Sequence, residues 1–292
     1  MLQIVQLELY KIFKRPRTYI AFAVIAIIIL LVQIALKFGG EEYVSLMMSG
    51  LNESFVVPPK EILNGYLVCF IILNLLLIHV PILVALVAGD MLSGEANQGT
   101  LRLLLSKPVS RNQLLFGKFI AASVYTLLLL IWVALLSLFL SIMIFGTNQL
   151  FVARMEQVNI ISSGDILWRY GAAFVFAAIG LITVAALSYM LSAFADNSIG
   201  PIVATVCVII VFTILTQMQI PFYDETVKPY LFTTHMLGWK GFFYVRAHDG
   251  VTVDGSIENI SMIFKSALIL VVYTAAFLFT AAWYFNRKNI LS

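Results

Sequence analysis

Charge is what this sequence has least of. Only 11% of its 292 residues are Asp, Glu, Lys or Arg, against 61% that are hydrophobic. A soluble domain carries about 25% charged residues, so this chain cannot cover itself in water. Cysteine is almost missing. Cys69 and Cys207 both fall in apolar runs, which excludes a disulfide framework and any zinc spacing and leaves two small packing residues. The three histidines, His79, His235 and His248, have no ligand spacing. His-Glu-x-x-His, Gly-x-Ser-x-Gly and Cys-x-x-Cys are all absent. The segment Gly94-Glu95-Ala96-Asn97-Gln98-Gly99-Thr100 imitates the glycine spacing of a P-loop. Thr100 stands where lysine is required, and an apolar helix rather than a strand precedes it, so nucleotide binding by this chain is excluded. Acidic pairs inside apolar runs are also lacking, since Asp90 and Asp196 sit at run ends. That argues against an ion-coupled carrier.

What the sequence does have is length in its apolar runs. About 20 such residues cross a bilayer. Six runs qualify: Thr18–Leu36, Leu63–Ala88, Leu114–Phe145, Gly171–Phe194, Ile199–Gln217 and Ile263–Phe285. The expectation is an all-α membrane protein of six transmembrane helices, a single domain over residues 1–292. The third run exceeds the need, so part of it tilts or lies at the interface. The first run is too long for a signal peptide and lacks a small-x-small site after Lys37.

Charge orients the spans. The two termini, the segment 90–118 and the turn Ala195–Ser198 together carry ten basic residues against four acidic. The opposite side carries eight against eleven. Positive residues mark the cytoplasm, so both termini are expected inside. This asymmetry speaks of topology and excludes nucleic acid as the partner. The bilayer is the expected surroundings, and a bacterial plasma membrane the expected location.

Residues 1–17 read as an interfacial elbow helix. Leu2, Val5, Leu9, Ile12 and Phe13 share one face, Lys11, Lys14 and Arg15 lie off it, and Pro16 ends it. Its basic side chains would lie near anionic headgroups; a plain positive flank is the alternative. From Gly39 to Ile62 an acidic outer loop is expected, stiffened by Pro58-Pro59. Asn74 and His79 in the second span either line a substrate path or bond another helix, and Pro81 should kink the span. The last outer loop, 218–262, holds Tyr230, Phe232, Trp239 and Phe243. They form either an outer gate on a re-entrant helix or an aromatic belt.

The segment 90–118 is the long polar interruption with a positive balance. Gly94 is placed to stop the second helix. Thr100 to Ser106 forms a short helix with Leu101, Leu104 and Leu105 on one face, and Pro108 breaks it. Ser110 with Gln113 has capping-box spacing and starts the next helix. A short helix presenting leucines buries nothing by itself and needs a partner's groove.

The run Glu95-Ala96-Asn97-Gln98-Gly99-Thr100-Leu101-Arg102-Leu103-Leu104-Leu105-Ser106-Lys107-Pro108-Val109-Ser110-Arg111, followed by Gly117-Lys118, resembles the signature of ABC-2 type exporter permeases. The elbow, the six spans and the long last outer loop agree with it. The resemblance implies that the short helix is a coupling helix seated in a separate ABC ATPase subunit. Two permease copies, identical or different, would assemble with two ATPases. ATP and Mg would be bound by the ATPase, and no cofactor by this chain. Leu101, Leu104 and Leu105 would be the docking surface, with Thr100 in the motif. Glu95 and Arg111 would stabilise the loop or pair with the partner, Gly99 would allow the turn, and Pro108 with Ser110 would fix the exit. The implied function is export of an amphiphilic substrate, such as a drug, an antimicrobial peptide or a lipid-like molecule, by a non-catalytic subunit. Two other readings stand beside it. One is an ATPase-docking sensor or scaffold that transports nothing, which a transport assay would separate. The other is an intramembrane enzyme built on Asn74 and His79, which activity surviving His79→Ala would remove.

Overall fold

Six helices long and apolar enough to cross a membrane are found among the described residues of the structure, a computed structural model: Pro16–Leu46, Gly65–Asn97, Arg111–Phe145, Ser163–Phe194, Ile199–Gln217 and Ile260–Arg287. The structure describes residues 1–48, 62–105, 109–154, 157–218, 223, 226–248 and 251–288. Pro58-Pro59, Ser106, Lys107 and Pro108 lie outside them, as do the side chains of Arg102 and Leu105.

Helix α1 spans Leu2–Lys14 and α2 spans Pro16–Met48. Arg15 between them is extended, the conformation a following proline imposes. The outer loop expected from Gly39 begins later, because α2 continues to Met48 with Val44 buried on its inner face. Helix α3, Gly65–Ala88, is capped by Asn64, whose Oδ1 accepts from the amides of Tyr66 and Leu67. It runs through Pro81. A Cβ on Gly65 would stand 2.6 Å from the Ile142 Cα and 2.7 Å from its backbone nitrogen. Backbone cannot swing aside as a side-chain end can, so Gly65→Ala is expected to cost about 1–3 kcal/mol, read as a lower melting temperature in detergent.

Gly94 does not stop this helix. The chain turns at Gly89 and resumes as α4, Ser93–Asn97, and α5, Thr100–Leu105. Gly99, at φ +70°, makes the actual break in the left-handed region that suits glycine. Helix α6, Arg111–Ala134, starts on the expected capping box. Its excess length passes through a π-helical turn, Leu135–Phe139, into α7, Leu140–Phe145. Gln33 of α2 donates to the Leu136 carbonyl in that turn and to Ser141 Oγ, both at 2.9 Å.

Two short hairpins were not legible as such in the sequence. Strands β1, Leu150–Arg154, and β2, Gln157–Ile161, pair antiparallel with Leu150 opposite Ile161. Strands β3, Ala247–His248, and β4, Val251–Thr252, pair likewise. They decorate one end of an otherwise helical body. Helix α8, Ile166–Phe194, starts earlier than expected, so Trp168, Arg169 and Tyr170 lie in its first turns rather than in a loop. It is the central post and packs against α3, α6, α9 (Ile199–Gln217) and the last helix, α11. Between α9 and α11 lie the 3-10 turn Lys228–Tyr230, helix α10 (Phe232–Met236) and the 3-10 turn Leu237–Phe243. Helix α11 spans Ile260–Arg287.

The termini, the turn 195–198 and the segment 90–111 meet at one end of the bundle. Arg111 donates to the carbonyls of Phe285, Asn286 and Lys288 at 2.9 to 3.1 Å. Lys288 pairs with Asp196 at 2.7 Å. At the opposite end Arg169 joins Asp165 to the segment that precedes α11, donating to the carbonyls of Phe242 and Ser256.

Candidate functional site

The end of the bundle that holds the termini contains a cluster of four charges, three of them buried. Lys118, in the second turn of α6, is fully buried, and Glu8 of α1 and Glu95 of α4 are 2% and 4% exposed. Lys118 Nζ stands 2.8 Å from Glu8 Oε2 and 2.8 Å from Glu95 Oε2. Lys11 Nζ closes the ring, 2.8 Å from Glu8 Oε1 and 2.7 Å from Glu95 Oε1. Two carboxylates thus meet two ammonium groups and the cluster is neutral. Burying charge is tolerable only on such terms. Three elements distant in sequence are joined by it: the N-terminal helix, the polar segment and the third span.

The cluster corrects three expectations. The buried face of α1 is Val5, Glu8 and Ile12, while Leu2 is exposed; a carboxylate sits inside the stripe read as apolar. Lys11 and Arg15 turn to protein carboxylates rather than outward, Arg15 joining Arg17 on Asp90. Glu8 and Glu95, not anticipated as an acidic pair, come together around Lys118. The signals were present in the chain. Glu8 lies three residues after Val5 and four before Ile12, and Lys118 stands inside the apolar run of the third span.

Partial burial works against the charge on Lys11, but its hydrogen bonds to Glu8 and Glu95 and their charges outweigh that effect and hold its pKa above 10.5. A lysine raised on folding stabilises the fold fully below its unfolded pKa, and that contribution is lost as pH rises through the folded value. Stability in detergent is therefore expected to fall faster above about pH 10.5 in the wild type than in Lys11→Met. Paired melting curves across that range test this.

The segment above the cluster is seated on the span bundle. Ser192 of α8 accepts from the amides of Leu92 and Ser93, and donates to the Ser93 hydroxyl at 3.0 Å. A Cβ on Gly94 would meet the Asp90 carboxylate at 2.4 Å, so this glycine serves close approach rather than helix arrest. Leu101 is 3% exposed and Leu104 is half-buried against the core. Leu101 and Leu104 therefore pack on this chain instead of standing free, and among the described residues of 91–105 the tip Asn97-Gln98-Gly99 is exposed. Thr100 donates to the Glu95 carbonyl at 3.3 Å. Ser110 caps α6, and Arg111 caps the end of α11.

Asn74 and His79 are not brought together. Asn74 donates to the Phe70 carbonyl and His79 Nδ1 contacts the Leu75 carbonyl, each one turn back on its own helix. Neither bonds a second helix, and neither lines the apolar cavity between α3, α6 and α8. An enzyme built on the two loses its convergent pair. Of the four outer aromatics, Phe232, Trp239 and Phe243 are buried in the body, while Tyr230 is 74% exposed. Trp239 and Phe243 meet Phe70 of α3 tilted and edge-to-face, at centroid distances of 5.5 and 5.3 Å. Groups of three or more metal-ligating side chains are absent among the described residues.

Comparison with known proteins agrees with this architecture. A family model described as "ABC-2 family transporter protein" matches residues 2–290. A protein of Bacillus subtilis (strain 168) named "Uncharacterized protein YhcI" is 24% identical over 210 residues, 70% of this chain. The match spans 63% of that relative's length.

Proposed function

This chain belongs to the ABC-2 family of transporter proteins, and from that premise we propose that it is the membrane-spanning subunit of an ATP-driven exporter. A separate ABC ATPase hydrolyses ATP and binds the Mg; this chain performs no bond chemistry. The tip Asn97–Gly99 and the short helix behind it are its docking element, and the end of the bundle carrying both termini faces the cytoplasm of a bacterial cell. Two permease copies form the path. The cargo is amphiphilic, of the drug, peptide or lipid-like kind.

The cluster Glu8–Lys118–Glu95–Lys11 is the observation that carries the reading. A push on the exposed tip reaches Glu95 within four residues and passes through Lys118 into the third span and through Glu8 into the N-terminal helix. A loop that served only to connect two spans would need no such anchorage, and burying Glu8, Glu95 and Lys118 has a cost that a plain apolar contact avoids. The leucine face acts from within by holding the short helix to the bundle, which leaves the polar tip for the partner.

The test is reconstitution. The tagged chain should retain an ABC ATPase on purification from its own cells. The pair in vesicles should move a fluorescent amphiphile only when ATP is hydrolysed. Transport by the chain alone, or retention of no ATPase, would overturn the reading. An intact complex that hydrolyses ATP and moves nothing would favour a sensor instead.

A further inference from the structure

Beside the third span, inside a single copy, an apolar cavity of about 70 Å3 lies between α3, α6 and α8, with Leu73, Val80, Leu130, Ala177 and Trp239 among its walls. A second, smaller space of about 10 Å3 adjoins it, and Leu77, Pro81 and Met236 line both. Both spaces are mainly apolar, but polar side chains stand in the wall of the smaller one. Thr213, Thr216, Gln217 and Thr233 line it, and Thr216 and Thr233 share a hydrogen bond of 2.8 Å. Pro81, in the wall that the two spaces share, has no N–H to donate within its helix. Neither space is lined by an ionisable side chain.

We infer that these two spaces form one binding site for a neutral amphiphile, its alkyl end in the apolar cavity and its uncharged hydroxyl or amide head against the threonines. The sizes fit this division. An engineered cavity of about 150 Å3 takes benzene, so about half of that takes the end of an alkyl chain and not a ring. A space of about 10 Å3 is the scale of one small polar group or water. A carboxylate or ammonium head would lose its hydration and meet no counter-charge among the described lining residues, which is costly. A free neutral amphiphile entering from the membrane offers both parts, whereas a phospholipid offers an alkyl tail alone. The assignment does not rest on transport, since binding is read without an ATPase.

Trp239 is buried and lines the cavity, so a chain bound there lies against its ring. The test is bromine quenching of its fluorescence in the purified chain in vesicles, taken as the difference between the wild type and Trp239→Phe. Three probes are compared: a chain-brominated monoacylglycerol, the matching fatty acid at pH 9, and phosphatidylcholine brominated on its acyl chains. Saturable quenching by the monoacylglycerol, with little by the fatty acid, identifies a free neutral amphiphile. Saturable quenching by the phosphatidylcholine that the monoacylglycerol cannot increase would show a lipid tail filling the apolar cavity and would overturn the neutral-head assignment. Ala177→Phe, which fills the cavity, should abolish either signal. Thr216→Val keeps the side-chain shape and removes one hydroxyl, so it should raise the half-quenching concentration of the monoacylglycerol by about threefold to tenfold and leave a plain bromoalkane unaffected. No quenching by the monoacylglycerol, equal quenching by the charged fatty acid, or a signal that survives Ala177→Phe would overturn the assignment.

Discussion

Lys118→Met is expected to destabilise the chain by about 3–5 kcal/mol, the usual cost of removing one partner from a buried ion pair. The size follows from the geometry. Lys118 is fully buried and is the one cation in contact with both Glu8 and Glu95 at 2.8 Å from within the core; Lys11 approaches the same two carboxylates from the partly exposed side. Without Lys118 the cluster keeps two carboxylates and one ammonium, a buried net charge of one sign. Methionine fills nearly the same volume, so lost packing contributes little. The cause can be isolated by rebalancing the charges. Glu95→Gln added to Lys118→Met leaves Glu8 with Lys11, a neutral pair, and should restore most of the lost stability. It should not restore ATP-driven transport, because the link from the segment 90–111 to the third span is still cut. Melting in detergent and transport in vesicles, measured on the same two variants, separate the roles. A double variant as unstable as the single one would show that Lys118 matters for packing and not for charge.

Arg169→Met is expected to cost about 3–5 kcal/mol as well, but with a different pattern of rescue. Arg169 is fully buried, pairs with Asp165, and also donates to the carbonyls of Phe242 and Ser256 at 2.6 and 2.8 Å. Neutralising the partner with Asp165→Asn removes the lone charge but leaves two carbonyls without their donor. Recovery should therefore be only partial. The unpinned segment between Phe242 and Ser256 should become sensitive to protease added from that side of reconstituted vesicles. Full recovery in Asp165→Asn/Arg169→Met, or protease resistance equal to the wild type, would show that the arginine does not clamp this segment. The sites lie at opposite ends of the bundle, so their stability effects should add.

Much of the architecture was legible because membrane spans announce themselves by length. The six apolar runs, the proline-terminated N-terminal helix, the four-residue turn after Phe194 and the capping box at Ser110 all follow from local chemistry. What local chemistry hides is pairing between distant residues. Glu8 looks like an interruption in an amphipathic stripe, and Lys118 looks like the last positive residue of a loop, until the fold brings them within 2.8 Å. Arg169 next to Trp168 and Tyr170 reads as an interfacial anchor, yet an aspartate four residues earlier lets it be buried instead. The first hairpin was missed for another reason. Its apolar residues, such as Phe151 and Val152, are few beside the long spans on either side, and a five-residue strand gives a weak signal in so hydrophobic a chain. The leucine face shows a different limit. Periodicity shows that Leu101 and Leu104 need a hydrophobic surface but not whose surface it is, and here the chain supplies its own.

The most direct measurement is labelling of the exposed tip. Gln98→Cys, in a chain carrying Cys207→Ser, should react with a membrane-impermeant maleimide in inside-out vesicles and not in intact cells. The ATPase bound in the same vesicles should protect it. Reaction in intact cells, or full reaction in vesicles that hold a stoichiometric complement of ATPase, would contradict the account.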